Sequence, residues 1–183
     1  MLSNISFQAN YIKPAVVQRR DENDNFHPYK VSVVELDANS ANDIKSLYEV
    51  DELWSGHSFA WEIYNDFKAV ADYENNKKLH FFAITEQKRN FGKLNPADVM
   101  CLAEFEEHPN INEINYLQTN PEYGYENYYQ PFKHTGSAMI DFLEQHFYDK
   151  PIKVFSTLTA VTFYQKNSFT KMPAADDRYF WNA

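Results

Sequence analysis

Three extended segments in succession, Leu79 to Thr85, Asp98 to Glu106 and Ile111 to Thr119, constrain the fold of this chain more than any other feature. Turn-forming clusters separate them: Arg89-Asn90-Phe91-Gly92 in the first gap and His108-Pro109-Asn110 in the second. The pattern predicts a meander of antiparallel strands.

What flanks the meander is of mixed type. On its N-terminal side, Ala60, Ile63, Tyr64, Phe67 and Val70 recur at helical spacing opposite Glu62 and Asp66, predicting a helix from about Ser58 to Glu74. Ahead of that, Ser40 with Asp43 resembles a capping box, and Ile44, Leu47 and Tyr48 supply an apolar face. Ala9 to Arg20 and Val31 to Leu36 read as strands separated by the polar run Asp21-Glu22-Asn23-Asp24-Asn25, which suggests a hairpin. On the C-terminal side, a helix begins at Gly136 with Met139, Leu143 and Phe147 on its buried side. A strand at Ile152 to Phe155, a short helix at about Thr159 to Asn167 and a strand near Arg178 to Asn182 follow. Strands interleaved with helices imply at least one parallel crossover, so the expected class is α/β in the α+β sense: a mixed, mostly antiparallel sheet flanked by helices. At 183 residues one domain, 1–183, accounts for the chain, with 1–30 an N-terminal extension and 122–132 a tyrosine-rich insertion.

Composition narrows the function. A hydrophobic content of 44% excludes a disordered chain. A net charge of -9 sets up a repulsive field for nucleic acid, so no nucleic-acid partner is expected; the same field favours cationic partners such as polyamines, aminoglycosides or lysine-rich segments. Apolar runs are short and the N-terminus lacks a signal-peptide pattern, so no membrane partner and a cytoplasmic location are expected. The lone Cys101 lies in an apolar run and reads as a buried strand residue. Six histidines without paired spacing predict no metal.

The segment Lys133-His134-Thr135-Gly136-Ser137-Ala138 runs directly into a helix, where free N–H groups and the helix dipole form a seat for phosphate. Gly136, one of only 4 glycines, would let the backbone approach a ligand, and Lys133 adds a cation.

With these residues in place, the second half of the chain resembles the GNAT acetyltransferase superfamily. Lys133, Gly136 and Ala138 match its acetyl-CoA loop of the form Gln/Arg-x-x-Gly-x-Gly/Ala, with lysine in the first position. Leu117-Gln118-Thr119-Asn120-Pro121 is similar to the family's fourth strand, whose backbone holds the acetyl and pantetheine amides. The segment from Ala160 to Phe169 resembles its Ala-x-x-Phe-Tyr-x-Lys-x-Gly-Phe helix, with Ser168 where glycine is usual and Thr157 where an asparagine often contacts the cofactor.

The resemblance implies a GNAT-like acyl-CoA N-acyltransferase fold and direct attack of a primary amine on acetyl-CoA. Leu117, Thr119, Lys133, His134, Thr135, Gly136, Ser137, Ala138 and Thr157 would bind the donor, and Tyr164 would return a proton to sulfur. Glu113 stands where some members carry a glutamate base, and a period of two puts Glu113, Asn115 and Leu117 on one face; Glu104 and Glu106 are substitutes. The substitutions at Lys133, Thr157 and Ser168 also admit a weak or inactive protein of this fold, acting as a CoA sensor or an interaction module. The loop Tyr123 to Tyr129 could line the acceptor pocket, cover the sheet or join a homodimer.

Overall fold

Asp21 builds the first turn. Its carboxylate accepts from the backbone N–H groups of Asn23 at 2.8 Å and Asn25 at 2.9 Å, and Asp24 adopts a left-handed conformation with φ 65°. The chain therefore reverses, and β1 (Asn10–Arg20) pairs antiparallel with β2 (Phe26–Glu35). The computed structural model describes residues 9–54, 59–72, 78–123, 129–172 and 179–182. Ser58, Glu74, Arg178 and residues 124–128 of the tyrosine-rich connection lie outside them.

Two helices follow, α1 (Ala41–Trp54) and α2 (Ala60–Asp72). Ser40 Oγ accepts from the Asp43 N–H at 3.2 Å, which is one half of the expected capping box. The other half differs: the Asp43 carboxylate accepts from the Asp37 N–H at 2.9 Å and so ties down the preceding loop. The buried face of α1 is Leu47, Val50 and Trp54; Tyr48, expected inside, is 43% exposed and packs on Tyr64.

The meander appears as β3 (Leu79–Thr85), β4 (Val99–Glu106) and β5 (Asn112–Thr119), each within a residue of expectation. Then come β6 (Phe132–Lys133), α3 (Thr135–His146) and β7 (Ile152–Phe155). A 3-10 turn (Leu158–Ala160) leads into α4 (Val161–Lys166), and β8 (Thr170–Lys171) and β9 (Tyr179–Asn182) close the fold. β6 and β8, with two residues each, are too short to leave a periodic trace and were not anticipated. One mixed sheet of order β6-β1-β2-β3-β4-β5-β7-β9-β8 results, in which β5 and β7 are the parallel pair.

Side-chain alternation along β3 shows how this sheet divides two cores. Phe82 and Ile84 face Met139, Phe142 and Leu143 of α3, whereas Phe81 and Ala83 face Leu47 of α1 and Ile63 and Phe67 of α2. Phe82 meets Phe142 edge to face at 5.0 Å, and Phe67 meets Phe81 likewise at 4.9 Å. Cys101 is wholly buried in β4 on the α3 side, as expected, and burial holds its thiol far above the ordinary range. No helix among the described residues is long and apolar enough to cross a membrane.

The end of α4 explains one departure from the family pattern. Ser168 has φ 66°; its N–H donates to the Gln165 carbonyl at 3.2 Å, and the Phe169 N–H donates to the Tyr164 carbonyl at 3.1 Å. These two bonds, with the Tyr164 and Phe169 rings 5.6 Å apart, form a Schellman motif, whose left-handed residue is most often glycine. Serine takes the conformation at a steric cost, and the helix end is kept.

Candidate active site

The site begins where two strands part. β5 and β7 pair through Asn112 with Ile152, Glu113 with Lys153 and Ile114 with Val154, after which β5 continues alone to Thr119. On its other side β5 pairs with β4, and the Asn120 N–H donates to the Met100 carbonyl at 2.9 Å. Antiparallel alternation then directs Gln118 and Tyr116 towards β4 and turns the backbone groups of Leu117 and Thr119 away, into the gap. One of these groups is engaged locally: Gln118 Nε2 donates to the Thr119 carbonyl at 2.7 Å.

A bulge re-aims the strand at this point. The register shifts between Glu104 paired with Tyr116 and Phe105 paired with Ile114, leaving Asn115 as the extra residue. Ile114 and Leu117 consequently face α3 and α4, while Tyr116 faces α2. This corrects the simple alternation: Glu113 and Asn115 lie on the α2 face with Tyr116, and Leu117 turns to the opposite one. The bulge also aims Asn115, whose amide donates to Glu104 Oε1 at 2.9 Å.

A cavity of about 490 Å³ passes through the gap and is bounded from both faces. Asp66, Glu104, Glu113 and Tyr116 line it on the α2 side, and Leu117, Ala160 and Tyr164 on the α4 side, with Thr157 at its edge. Glu104 is only 2% exposed, and its Oε2 has no hydrogen-bond partner among the described residues. Burial pushes its carboxyl up from 4.5 to about 7; the Asn115 hydrogen bond opposes the rise, and the charges of Asp66 and Glu106 add to it. Asp66 is raised as well, by burial and then by Glu62. Glu113, in contrast, is held by Lys153 Nζ at 2.6 Å, with His108 Nε2 at 3.6 Å. Across the cavity, burial with Cys101 alongside keeps the Tyr164 phenol protonated far above its usual range.

The start of α3 adjoins the same strand. His134 is the N-cap residue in a left-handed conformation, φ 66° and ψ 19°, and no side chain caps the helix. The N–H groups of the first turn are thus left for another acceptor. Gly136 has a packing role besides. A Cβ there would lie 3.0 Å from Phe163 Cζ and 3.2 Å from the Thr119 methyl, so its lack of a side chain lets α4 and β5 close on the helix. Lys133 Nζ sits 4.0 Å from the centroid of the Phe26 ring on the β1–β2 hairpin. Thr157 Oγ1 lies 3.2 Å from Thr159 Oγ1. Lys133, His134, Thr135, Gly136, Ser137 and Ala138 therefore form one junction, while Glu113, Leu117, Thr157 and Tyr164 share the cavity.

Comparison with solved structures identifies the fold. PaiA N-acetyltransferase from Thermoplasma acidophilum, in complex with coenzyme A, matches with a TM-score of 0.53 at 16% identity, over 82% of this chain and 96% of that one. A protein from Desulfovibrio desulfuricans assigned to the GNAT family matches with a TM-score of 0.52 at 12% identity, over 82% and 96%. The chain has the GNAT fold. Tetrahymena GCN5 shares it, with a TM-score of 0.52 at 12% identity over 78% of this chain and 89% of that one. No protein-family model matches the sequence, and no curated protein does. Among the described residues no group of three His, Cys, Asp or Glu side chains is placed to hold a metal ion.

Sequence reasoning gave Glu104 only a secondary place and passed over Asp66 and Phe59 as parts of the cavity. Asp66 read as the wet side of an amphipathic helix. Nothing in the local pattern says that this side of α2 looks into a gap in the sheet.

Proposed function

We propose that this protein is an N-acetyltransferase that moves the acetyl group of acetyl-CoA to a primary amine by direct attack. The observation that carries the reading is the single cavity through the β5–β7 gap, which joins open strand backbone and Tyr164 on one face to Glu104 on the other. The donor would lie on the α3 and α4 face. Its pyrophosphate would sit on the uncapped start of α3, from His134 to Ala138 with Lys133 beside it, and its amides on the backbone of Leu117 and Thr119. Thr157 borders the thioester end.

The amine would enter from the α2 face. An alkylammonium has a pKa of about 10.4, so freeing its lone pair at pH 7 costs roughly 4 to 5 kcal/mol. A base with a pKa near neutrality suits this task better than an ordinary carboxylate, and Glu104 has both that property and an uncommitted oxygen. We assign the base to Glu104 and give Glu113 a positioning role through Lys153. The free amine attacks the thioester carbonyl, the C–S bond breaks, the Tyr164 hydroxyl donates to the departing sulfur, and the proton that the nitrogen loses as the amide forms passes to solvent, from which the phenol is restored. The Ser168 substitution leaves the α4 end in its regular form and so does not weaken the catalytic reading.

Acetyl-CoA is expected to raise the melting temperature, because it binds the folded state alone. Thiol release with simple primary amines is expected to fall about 10- to 100-fold in Tyr164→Phe while the melting shift persists. An acetyl-CoA shift without thiol release from any amine would favour a CoA sensor, and no shift at saturating acetyl-CoA would refute both.

A further inference from the structure

One side chain, Gln118, joins the two sides of the cavity. Leu117 faces α3 and α4, and alternation along β5 turns Gln118 to the α2 side with Tyr116. There its Oε1 accepts from the Phe59 N–H at 3.2 Å, while its Nε2 donates to the Thr119 carbonyl at 2.7 Å. Rotating the amide by half a turn would set donor against donor and acceptor against acceptor, so the two bonds together fix its orientation.

Phe59 holds the N-cap position of α2, because its carbonyl accepts from the Ile63 N–H at 3.0 Å. A phenylalanine side chain cannot cap a helix. What it supplies is a ring, centred 5.3 Å from the ring of Tyr116 and lining the cavity with Asp66 and Glu104. The N–H of an N-cap residue lies outside the helix ladder, and here Gln118 provides its acceptor. The ring is thereby placed from β5 and not from α2 alone. At the other end of the amide, the Thr119 carbonyl is one of the strand groups turned into the gap, and Gln118 already engages it.

We propose that Gln118 is a positioning residue that fastens the Phe59 wall of the amine entrance to the donor strand, and that it does so in competition with the donor for the Thr119 carbonyl. The proposal rests on the acetyl-transfer reading for what enters each side; the two hydrogen bonds do not depend on it. A pantetheine N–H arriving at Thr119 meets an oxygen that Gln118 Nε2 has partly satisfied, so removing that amide favours the donor. The same removal frees Phe59, so it disfavours the amine. A side chain that merely supported the fold would weaken both.

The test uses Gln118→Met, which is close in size and makes neither bond, and Gln118→Glu, which still accepts from Phe59 but cannot donate to Thr119; melting curves confirm that both variants fold. Calorimetry with CoA is expected to show about 2- to 10-fold tighter binding to Gln118→Met than to the parent, the range of one neutral hydrogen bond. Amide hydrogen exchange at Phe59 is expected to be about 10-fold faster in Gln118→Met and to return to the parental rate in Gln118→Glu. With the best substrate among simple primary amines, KM for the amine rises about 2- to 10-fold in Gln118→Met while kcat stays within about threefold, and Gln118→Glu reverses the rise. Weaker or unchanged CoA binding in Gln118→Met overturns the proposal, as does parental Phe59 exchange in that variant. Calorimetry and exchange need no turnover, which separates the two readings. Tighter CoA binding with faster Phe59 exchange, but no thiol release from any amine, retains the fastening and refutes transfer; thiol release with CoA binding and exchange unchanged retains transfer and refutes the fastening.

Discussion

Replacing Glu104 by Gln is expected to strengthen the fold and remove the proposed base in one step. The native carboxyl is raised from 4.5 to about 7, chiefly by burial. Below pH 4.5 it is neutral in both folded and unfolded chains and exerts no pH-dependent cost. As the pH climbs from 4.5 to 7 the unfolded chain ionises freely while the folded one resists, so stability is lost across that window. At about 1.4 kcal/mol for each tenfold change in proton affinity, the full penalty above pH 7 is about 3 kcal/mol. Glutamine avoids it and still accepts from Asn115, but its amide nitrogen inherits the unpartnered position of Oε2, which gives back about 1–2 kcal/mol. The net gain at pH 8 is then about 1–2 kcal/mol, or roughly 2–8 °C in melting temperature for a chain of this size. At pH 5 the penalty has shrunk to about 1 kcal/mol and the gain disappears. Thermal melts of both proteins at pH 5 and pH 8, with thiol release at pH 8, decide the matter. A melting difference that is the same at both pH values would refute the assignment of a strained, ionisable Glu104, and full turnover in the variant would refute its role as base.

Three further outcomes follow from the geometry. Ser168→Gly relieves a left-handed serine at the end of α4 and is expected to stabilise the chain by about 1 kcal/mol, read as a higher denaturation midpoint at unchanged m-value. Gly136→Ala drives a methyl against Phe163 and Thr119 and is expected to cost about 1 kcal/mol net of the helix-propensity gain while weakening the acetyl-CoA melting shift; an unchanged shift would separate this packing from the donor site. His80 lies between Glu35 at 2.7 Å and Glu107 at 3.0 Å; burial lowers its pKa, but the two hydrogen bonds outweigh burial and raise it. Its stabilising contribution is therefore complete below about pH 6.5 and lost as pH rises through the raised value, so His80→Gln is expected to flatten the pH dependence of stability on the alkaline side.

The order of elements was legible because period and punctuation are local properties. Phe81 to Ile84 alternate between two cores, and Met139, Leu143 and Phe147 repeat on one helix side, so strand and helix announce themselves. The same locality explains what escaped. Whether Asn115 is an extra residue in β5 depends on how β4 pairs with it, and that register is set across the sheet. Once the bulge is present, Leu117 parts company with Glu113, and the carboxylate with a free oxygen is found one strand away, on Glu104. Asp66 was invisible for a related reason: an acidic residue on a wet helix face and one facing a gap between strands have the same neighbours in sequence. The loop at Lys133 to Ala138 could be found, since a helix start is marked by its own residues; the true neighbours of Gly136, Phe163 and Thr119, could not.

The parting of β5 and β7 has a mechanical consequence. Among the described residues only three pairs join the eight-residue β5 to the three-strand remainder β7, β9 and β8 at this seam, and the Glu113–Lys153 ion pair stands at the middle one. The seam is the vertex of the gap, with that ion pair tying its two sides and the cavity as the opening between them. Under the proposed acetyl transfer, this ion pair at the cavity wall would set the width of the slot in which donor and amine come together.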